Sequence, residues 1–434
     1  MNSITFFDKK ARALLYTRGA IGAKVVAAYP AILSDLSDKK MDRMRTQVGI
    51  IGAGPAGLFL SHLLRGLNID CVILEERSRE YVESRVRAGV LERGTAETMA
   101  ALGLDARMKR EGMIDKALDM RFRGKTIHLD LPDLTGNTVT IYGQQEVVKD
   151  LIEARLKSNQ PLLFEAEATA IEGLDSARPT IRYRSGGNEQ VLEADFIAGC
   201  DGFHGISRAA VPADAITLYE QVYDFAWLGV LSHSPPIADM TYSNSDRGFA
   251  LCSRRSPRVS RLYLQVSSDE NPDAWPDARF WDELHARMFD ADKTEIVEGE
   301  IFQRDIARLR AFIAAPMQYG RLFLAGDAVH ITPPAGAKGL NLAVADVRVM
   351  ARALADYYRI GSRERLERYS QDCLNRVWKT VRYSTMLTRL LHKFPSQTPF
   401  EREMQLTELE YIYGSRFAQA SIAEQYVGLP FEGL

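Results

Sequence analysis

The sequence has 434 residues, of which 46% are hydrophobic and 26% are charged, and its formal net charge is −2. These values predict a globular chain of two or three domains without a global attraction to nucleic acids or membranes. Its four cysteines and seven histidines are scattered and form no CxxC or HExxH spacing, which argues against disulfides and a metal site.

The first 43 residues are expected to precede the folded chain. They hold basic residues such as Lys9 and Arg12, and an apolar patch that Pro30 interrupts. A basic, partly amphipathic leader is typical of a targeting peptide. Because a strand pattern begins at Met44 and acidic residues dilute the basic character, we favour an upstream start codon or a poorly ordered extension.

The next thirty residues predict a βαβ unit on a parallel sheet. Thr46–Gly52 is a short apolar strand, Pro55–Leu67 is an amphipathic helix, and Asp70–Glu75 is a second strand. Proline at the first helical position fits because its missing N–H would have no partner there. This order of strand, glycine turn, helix and strand indicates a nucleotide-binding fold.

The rest of the chain predicts an α/β fold in further segments. Helices are expected at Glu92–Met108, Gln145–Lys157, Gly339–Tyr358 and through most of the tail from Arg363. Strands are expected at Arg121–Leu131, Thr138–Tyr142, three places within 162–199, Arg261–Val266 and Arg321–Ala325. Residues 44–217, 218–330 and 331–434 are the expected segments, and the second is rich in sheet. No apolar run reaches the roughly 18 residues that cross a bilayer, so the cytoplasm is the expected compartment.

The turn after the first strand reads GAGPAG and is the first motif that carries chemistry. Gly52 permits a tight turn, Gly54 lets a pyrophosphate approach the backbone, and Gly57 lets the helix pack on the strand. Glu75 ends the second strand, where a carboxylate can accept hydrogen bonds from a ribose. An ordinary glycine turn is the alternative, and the motif alone does not distinguish FAD from NAD.

Two further stretches resemble motifs of the flavoprotein monooxygenases. Asp201 and Gly202 follow an apolar strand that ends at Ala198, and Gly326 and Asp327 follow another that ends at Ala325. The resemblance implies that Asp327 holds the FAD ribitol or ribose, and that the turn at Asp201 lies near the pyrophosphate and the nicotinamide donor. Each aspartate alone could be a turn residue.

The resemblance extends from Met44 to the end of the chain. It is carried by RVRAGVLE (85–92), YGQQEV (142–147), IAGCDGFHGISR (197–208), RGFALCSRRS (247–256), RLFLAGDAVHITPPAGAKGLNLA (321–343), TELEY (407–411) and YVGLP (426–430). It implies an FAD-binding, Rossmann-like βαβ domain, a sheet-rich substrate domain and a helical C-terminal region that forms a homodimer. It also implies an enzyme that uses bound FAD, NADPH or NADH, and O₂ to hydroxylate an aromatic acid. The expected substrate is 4-hydroxybenzoate, and the expected product is 3,4-dihydroxybenzoate.

The resemblance also assigns residues to the site. Arg255 would pair with the substrate carboxylate, as bidentate recognition requires, and Tyr242 would hydrogen-bond the substrate hydroxyl and be bonded in turn by Tyr426. The other substrate contacts are Ser253, Arg254, Tyr263 and the Pro334 carbonyl. The FAD contacts are Gly52, Gly54, Gly57, Glu75, Arg85, Val86, Arg87, Ala88, Gly89, Val90, Gln144, Arg261, Asp327, Leu340 and Asn341. The NAD(P)H contacts are Arg77, His204, Arg208 and Arg310. The helix near Gly339 would direct its positive N-terminal end at the flavin.

Two positions depart from the family pattern. An Arg-Gln pair that helps to select NADPH in relatives is replaced by Glu76 and Arg77. Glu76 would repel the 2′-phosphate of NADPH, whereas Arg77 and Arg79 could still bind it. The proton relay of the best-known relatives ends at a histidine, where this chain has Asp115.

Two other functions remain open from the sequence. One is hydroxylation of another ring, such as 3-hydroxybenzoate or an aminobenzoate. The other is a non-catalytic flavin or dinucleotide binder, because a fold alone does not fix a function. The complete set of pocket residues argues against the second.

Overall fold

The computed structural model describes residues 43–87 and 89–431, and every structural statement below refers to these residues. Strands β1 to β19 are Arg43–Ile51, Cys71–Leu74, Val90–Leu91, Met113–Asp115, Ala117–Phe122, Lys125–Asp130, Val139–Ile141, Leu162–Leu163, Ala166–Glu172, Thr180–Ser185, Asn188–Gly199, Thr217–Ser232, Met240–Ser245, Gly248–Ser256, Val259–Ser267, Ile301–Ala315, Gln318–Tyr319, Leu322–Leu324 and His330–Ile331. Helices α1 to α11 are Pro55–Gly66, Arg79–Ser84, Arg93–Ala101, Ala106–Glu111, Leu131–Thr135, Gln144–Lys157, Asp277–Arg287, Gly339–Ile360, Glu364–Leu391, Pro399–Gly414 and Arg416–Val427.

The first sheet carries the nucleotide-binding motifs. Its strand order is β17-β18-β11-β1-β2-β8, and β10 and β9 continue from β11 as an antiparallel extension. Strand β1 runs parallel to both β11 and β2, and β18 runs parallel to β11. The last four residues of β1 are buried and apolar, as expected where helices cover a parallel sheet. Because Ile51 pairs with Gly199 and Gly199 with Leu324, the three strands end side by side.

The second sheet presents the predicted substrate residues. Its order is β19-β16-β12-β15-β14-β13-β5-β6, and most of its pairs are antiparallel. Tyr242 on β13 lies opposite Leu251 on β14, which lies opposite Tyr263 on β15. In the same ladder Ser253 lies opposite Arg261. This register brings side chains far apart in sequence onto neighbouring strands.

The C-terminal helices close one end of the second sheet. A buried cluster joins Tyr242 with Tyr383 of α9 and Tyr426 of α11. Helix α10 begins with a capping box, in which the Thr398 hydroxyl accepts from the backbone N–H of Glu401 and the Glu401 carboxylate accepts from that of Thr398. No helix in the described ranges has the length and apolarity that crossing a membrane demands.

Several sequence-based boundaries need correction. Arg121–Leu131 was expected as one strand but forms the hairpin of β5 and β6, because Arg123 and Gly124 turn the chain with φ of 45° and 74°. Glu92–Met108 was expected as one helix but forms α3 and α4, which Gly103 separates with φ of 70°. The region 162–199 holds four strands rather than three.

The expected segments are interleaved in space. Strands β5 and β6 belong in sequence to 44–217, yet β5 pairs with β13 of the second sheet. The segment boundaries therefore stay predictions. The leader lies outside the described residues except for Arg43, which begins β1.

Candidate active site

The three predicted motifs meet at one edge of the first sheet. Gly52 has φ of 101°, and a Cβ there would lie 2.4 Å from the Cys200 carbonyl oxygen. A Cβ on Gly326 would lie 3.3 Å from the Cβ of Ala56 in the first turn of α1. The glycine turn, the turn at Asp201 and the turn at Asp327 therefore surround one space beyond the carboxyl ends of β1, β11 and β18. Ligands of parallel sheets bind at this edge.

The start of α1 is shaped to receive a phosphate. Gly54 is the N-cap, Pro55 is the first helical residue, and a Cβ on Gly54 would meet no atom within 4 Å. By contrast, a Cβ on Gly57 would lie 2.1 Å from the Gly52 carbonyl oxygen. Free N–H groups at a helix start attract anions, so open space beside Gly54 fits a pyrophosphate.

Glu75 is a buried carboxylate that faces this turn. One oxygen accepts from the backbone N–H of Ala53 at 2.7 Å, and the other accepts from that of Arg77 at 2.9 Å. Burial raises the pKa of Glu75, while these two N–H groups counteract the rise. The carboxylate is thus fixed at the end of β2, where a ribose would meet it.

The turn that carries Asp327 is fixed by a pair of residues that the sequence did not single out. Asp346 accepts from the backbone N–H of Gly326 at 3.0 Å and is 2.7 Å from His330. Burial alone would lower the pKa of His330, but the Asp346 carboxylate raises it overall. The Asp327 side chain itself is exposed to the open space at this edge.

The loop after α2 lies against the second sheet. Arg85 is exposed and donates to the Tyr81 hydroxyl, whereas Ala88 is outside the described residues. A Cβ on Gly89 would lie 2.7 Å from the Cα of Gly143 and 3.0 Å from Nη1 of Arg255. Only glycine therefore fits at position 89. Among the other predicted FAD contacts, Val86 and Arg87 lie in this loop, Val90 begins β3, and Gln144 begins α6.

Asn341 joins this loop to the first turn of α8. Its side-chain oxygen accepts from the backbone N–H of Glu92 at 3.0 Å and from the Thr95 hydroxyl at 2.8 Å, and its amide donates to the Val90 carbonyl at 3.0 Å. Its neighbour Leu340 is partly buried. The side chain of Asn341 is therefore occupied by protein, which leaves the backbone N–H groups at the start of α8 for a cofactor.

Arg255 is a desolvated cation that lacks a carboxylate partner. Its Nη2 donates to the Arg87 carbonyl at 2.6 Å and to the Gln145 side-chain oxygen at 2.7 Å. Burial lowers the pKa of Arg255 to about 10, and the nearby Arg261 adds to this effect. No carboxylate of the described residues forms an ion pair with it. A half-buried guanidinium without a carboxylate partner favours an anionic ligand.

The predicted neighbours of Arg255 are gathered around Arg261. Arg261 donates to the Tyr263 hydroxyl and forms an ion pair with Asp305 at 3.3 Å. The Ser253 hydroxyl donates to the Arg261 carbonyl at 2.9 Å. The structure thus brings Ser253, Tyr263 and Arg261 together on β14 and β15, beside the strand end that carries Arg255.

The expected hydrogen bond between Tyr426 and Tyr242 is wrong in this structure. Tyr242 donates to the Ala335 carbonyl at 2.7 Å, and the Tyr426 hydroxyl instead contacts Sδ of Met240 at 3.0 Å. A buried hydroxyl takes the acceptor within reach, and the turn at Pro334 presents the Ala335 carbonyl to Tyr242. The expected contact of the Pro334 carbonyl with the substrate hydroxyl stays a prediction.

Arg254 forms an ion pair with Asp115, which was not expected from the sequence. The two side chains form an ion pair, and Asp115 is only 1% exposed. Its neighbour Arg255 contacts other groups, the Arg87 carbonyl and the Gln145 side chain. The expected contact of Arg254 with the substrate stays a prediction.

Three of the four predicted NAD(P)H residues cluster around one ring. The guanidinium carbons of Arg208 and Arg310 lie 4.8 Å and 4.5 Å from the Phe203 ring centroid, and the His204 ring is 5.0 Å from it. Arg77 lies apart from them and pairs with Glu76 at 2.8 Å. Phe203 is a member of this cluster that sequence reasoning missed.

One group of potential metal ligands was also missed. Asp119, His128 and Asp239 have ligand atoms within 4.8 Å of one another. Sequence spacing could not detect them, because they come from the neighbouring strands β5 and β6 and the segment before β13. They lie outside the site described above.

Comparison with known proteins gives consistent results. A family model described as an FAD binding domain matches residues 45–384. The chain is 45% identical over 394 residues to p-hydroxybenzoate hydroxylase of Acinetobacter baylyi. That alignment covers 90% of this chain and 97% of the relative. It is 25% identical over 406 residues to 3-amino-4-hydroxybenzoate 2-monooxygenase of Streptomyces cremeus, covering 85% and 95%. The crystal structure of p-nitrophenol 4-monooxygenase from Pseudomonas putida shares the fold with a TM-score of 0.77 at 19% identity, covering 90% and 100%.

Proposed function

The chain belongs to the FAD-binding monooxygenase family that includes p-hydroxybenzoate hydroxylase, and from this premise we propose that it hydroxylates 4-hydroxybenzoate to 3,4-dihydroxybenzoate. One NAD(P)H, one O₂ and one proton are consumed for each ring hydroxylated, and NAD(P)⁺ and water are released. When bound, FAD accepts hydride from NAD(P)H and activates O₂.

Arg255 is the observation that carries this proposal. Its guanidinium is desolvated, stands beside a second arginine and pairs with no carboxylate of the described residues. A benzoate carboxylate would supply the missing charge with matching bidentate geometry. An apolar ligand or a cation would leave this half-buried arginine without an anionic partner.

The tyrosine at the other end of the proposed pocket would hydrogen-bond the phenolic oxygen of the substrate. Tyr242 is buried, and burial raises its pKa, so it stays protonated and can donate a hydrogen bond to the substrate oxygen. In the structure this hydroxyl donates to the Ala335 carbonyl, an acceptor that a bound phenolate oxygen would replace. Stabilising the phenolate makes the ring electron-rich, and an electrophilic oxidant attacks such a ring at the carbon beside the oxygen.

The edge of the first sheet is where FAD would bind. Gly54 and the start of α1 would hold the pyrophosphate, and Glu75 would bind the adenosine ribose. Asp327 and the start of α8 would hold the ribitol and the flavin ring. The cluster of His204, Arg208 and Arg310 would receive the NAD(P)H phosphates.

The proposal also includes a homodimer and a cytoplasmic location. Helices α10 and α11 expose the large apolar side chains Phe400, Met404, Tyr411 and Phe417, the last of them 89% exposed. Such a patch is typical of a self-associating surface. All four cysteines are buried and free, which fits a reducing compartment.

Substrate-stimulated oxidation of NAD(P)H tests this function. The purified, FAD-loaded protein is assayed with 4-hydroxybenzoate, 3-hydroxybenzoate, 4-aminobenzoate and 3-amino-4-hydroxybenzoate, and the products are separated by chromatography. We expect 4-hydroxybenzoate to stimulate oxidation most and to yield 3,4-dihydroxybenzoate. If another of these acids stimulates oxidation more strongly, that acid becomes the proposed substrate. If none of them stimulates oxidation, the enzyme assignment is rejected.

A further inference from the structure

A histidine and two aspartates converge at one edge of the second sheet. Asp119 on β5 lies opposite His128 on β6 and, on its other side, opposite Thr241 on β13. Asp239 comes two residues before Thr241, whose hydroxyl donates to the Asp239 carbonyl at 3.0 Å. One ligand atom from each of Asp119, His128 and Asp239 lies within 4.8 Å of the other two. The pairing of three chain segments therefore brings three potential metal ligands together.

Strand alternation turns Asp119 away from the core. Leu118 and Met120, which flank it on β5, are completely buried, and successive side chains of a strand point to opposite faces. The side chain of Asp119 is 17% exposed and that of His128 is 55% exposed. An ion from solvent can therefore reach the imidazole, while the first carboxylate is partly shielded from water.

The two carboxylates meet without a lysine or arginine to balance them. Among the described residues, the ion-pair partner of Asp119 is His128, at 2.7 Å, and Asp239 has none. Arg121, two positions along β5, is paired with Glu295 instead. Burial raises the pKa of Asp239, and the charge of Asp119 raises it further, with His128 opposing. Like charges placed together disfavour ionisation, and a bound cation would remove this repulsion.

The types of ligand atom in this group favour zinc. A hydrogen bond between His128 and Asp119 is an ordinary cross-strand pair, but it gives no reason for a second carboxylate at Asp239. One imidazole nitrogen and two carboxylate oxygens form a donor set that Zn²⁺ binds, with water in its fourth position. Ca²⁺ and Mg²⁺ prefer oxygen ligands alone, so the imidazole favours Zn²⁺ over these ions.

Small movements are enough for the three side chains to share one ion. Ligand atoms about 2.0–2.2 Å from a tetrahedral Zn²⁺ are roughly 3.3–3.6 Å apart, so a separation of 4.8 Å closes with shifts of about 1 Å. We propose that Asp119, His128 and Asp239 form a Zn²⁺ site that fastens the β5–β6 hairpin to the start of β13. The hairpin is one edge of the second sheet, so the ion holds this edge in place.

Binding of Zn²⁺ to the purified, FAD-loaded protein tests this site. ZnCl₂ is titrated by calorimetry into protein that was first treated with a chelator, MgCl₂ and CaCl₂ are titrated in parallel, and the midpoint of thermal unfolding is measured with and without Zn²⁺. Asp239→Asn and His128→Gln remove one ligand each, and bound FAD is quantified to confirm that each variant is folded. Asp130→Asn and His233→Gln are the matched controls, because both residues are exposed and lie outside the group.

We expect the wild type to bind one Zn²⁺ per chain and to unfold at a higher temperature when the ion is present. Each ligand substitution should raise the Kd for Zn²⁺ by roughly tenfold or more, which is about 1.4 kcal/mol, whereas both controls bind as the wild type does. Equal binding by the wild type, Asp239→Asn and His128→Gln would show an adventitious ion only and overturn the site. Wild-type protein that binds no Zn²⁺, or that binds Mg²⁺ or Ca²⁺ equally well, would also overturn it.

Discussion

Replacing Arg255 with alanine is the perturbation that bears most on the proposed pocket. Breaking a buried ion pair by removing one partner typically costs about 3–5 kcal/mol. With about 1.4 kcal/mol for each factor of ten, the Kd for 4-hydroxybenzoate should rise by roughly two to three powers of ten. The pKa of about 10 keeps Arg255 charged at neutral pH despite its burial, so the whole interaction is lost in the variant.

A series of substitutions separates charge from geometry. Arg255→Lys keeps the charge but loses the planar fork and should weaken binding less than Arg255→Ala does. Arg258→Ala is the control, because Arg258 is an exposed arginine three residues along the chain. Binding is measured by titrating the flavin absorbance, and bound FAD is quantified after denaturation. Normal binding by Arg255→Ala, with full FAD content, would remove Arg255 from the pocket.

Four further outcomes are expected. Tyr242→Phe should still bind substrate and oxidise NAD(P)H but release mainly hydrogen peroxide, which a peroxide assay measures; full coupling at the wild-type rate would exclude its role. Gly89→Ala should impair FAD and substrate binding together, because its Cβ would collide with Gly143 and Arg255; two normal titrations would contradict this. NADPH should be used with imperfect selectivity, since Arg77 is paired with Glu76, and a preference for NADH above about tenfold, or about 1.4 kcal/mol, would show that Glu76 dominates. A chain beginning at Met44 should fold and turn over normally, and its insolubility would make the leader structural.

Acid should destabilise the fold through His392. Burial lowers its pKa to about 3, and its ring accepts a hydrogen bond from Nε1 of Trp227 at 2.7 Å. The unfolded chain binds this proton below about pH 6.5 and the folded chain does not. The free energy of unfolding should therefore fall between pH 6.5 and 3, by at most about 1.4 kcal/mol per pH unit for this group. In His392→Gln, the free energy of unfolding measured by urea denaturation should depend less steeply on pH than in the wild type. An unchanged dependence on pH would exclude His392 as a cause.

The nucleotide-binding edge could be predicted because its determinants are local. Gly52, Gly54 and Gly57 are needed by one turn, and Glu75 follows at the end of the next strand, so the order of residues carries the geometry. Strands β1, β2 and β18 lie within the stretches expected, give or take one to three residues at either end. Boundaries failed where a single residue turns the chain, as Gly124 does between β5 and β6.

For the proposed substrate pocket, the sequence could predict which residues take part but not how they contact one another. The resemblance selected Tyr242, Arg255 and Tyr426, but it could not reveal the acceptor of each hydroxyl, which depends on the tertiary packing of the turn at Pro334. It also missed the ion pair of Arg254 with Asp115, because those residues are 139 positions apart in the sequence. The role of Asp346 leaves no signal in a sequence motif, since it depends on contacts of α8 with Gly326 and His330.

The ratio of 3,4-dihydroxybenzoate formed to NAD(P)H consumed tests the central claim most directly. Product is quantified by chromatography and NAD(P)H by absorbance, with 4-hydroxybenzoate in excess and peroxide release measured in the same sample. We expect a ratio near one and little peroxide, because in the proposed pocket Arg255 and Tyr242 would hold the ring in place as its phenolate. NAD(P)H consumption that yields peroxide without 3,4-dihydroxybenzoate would contradict the claim.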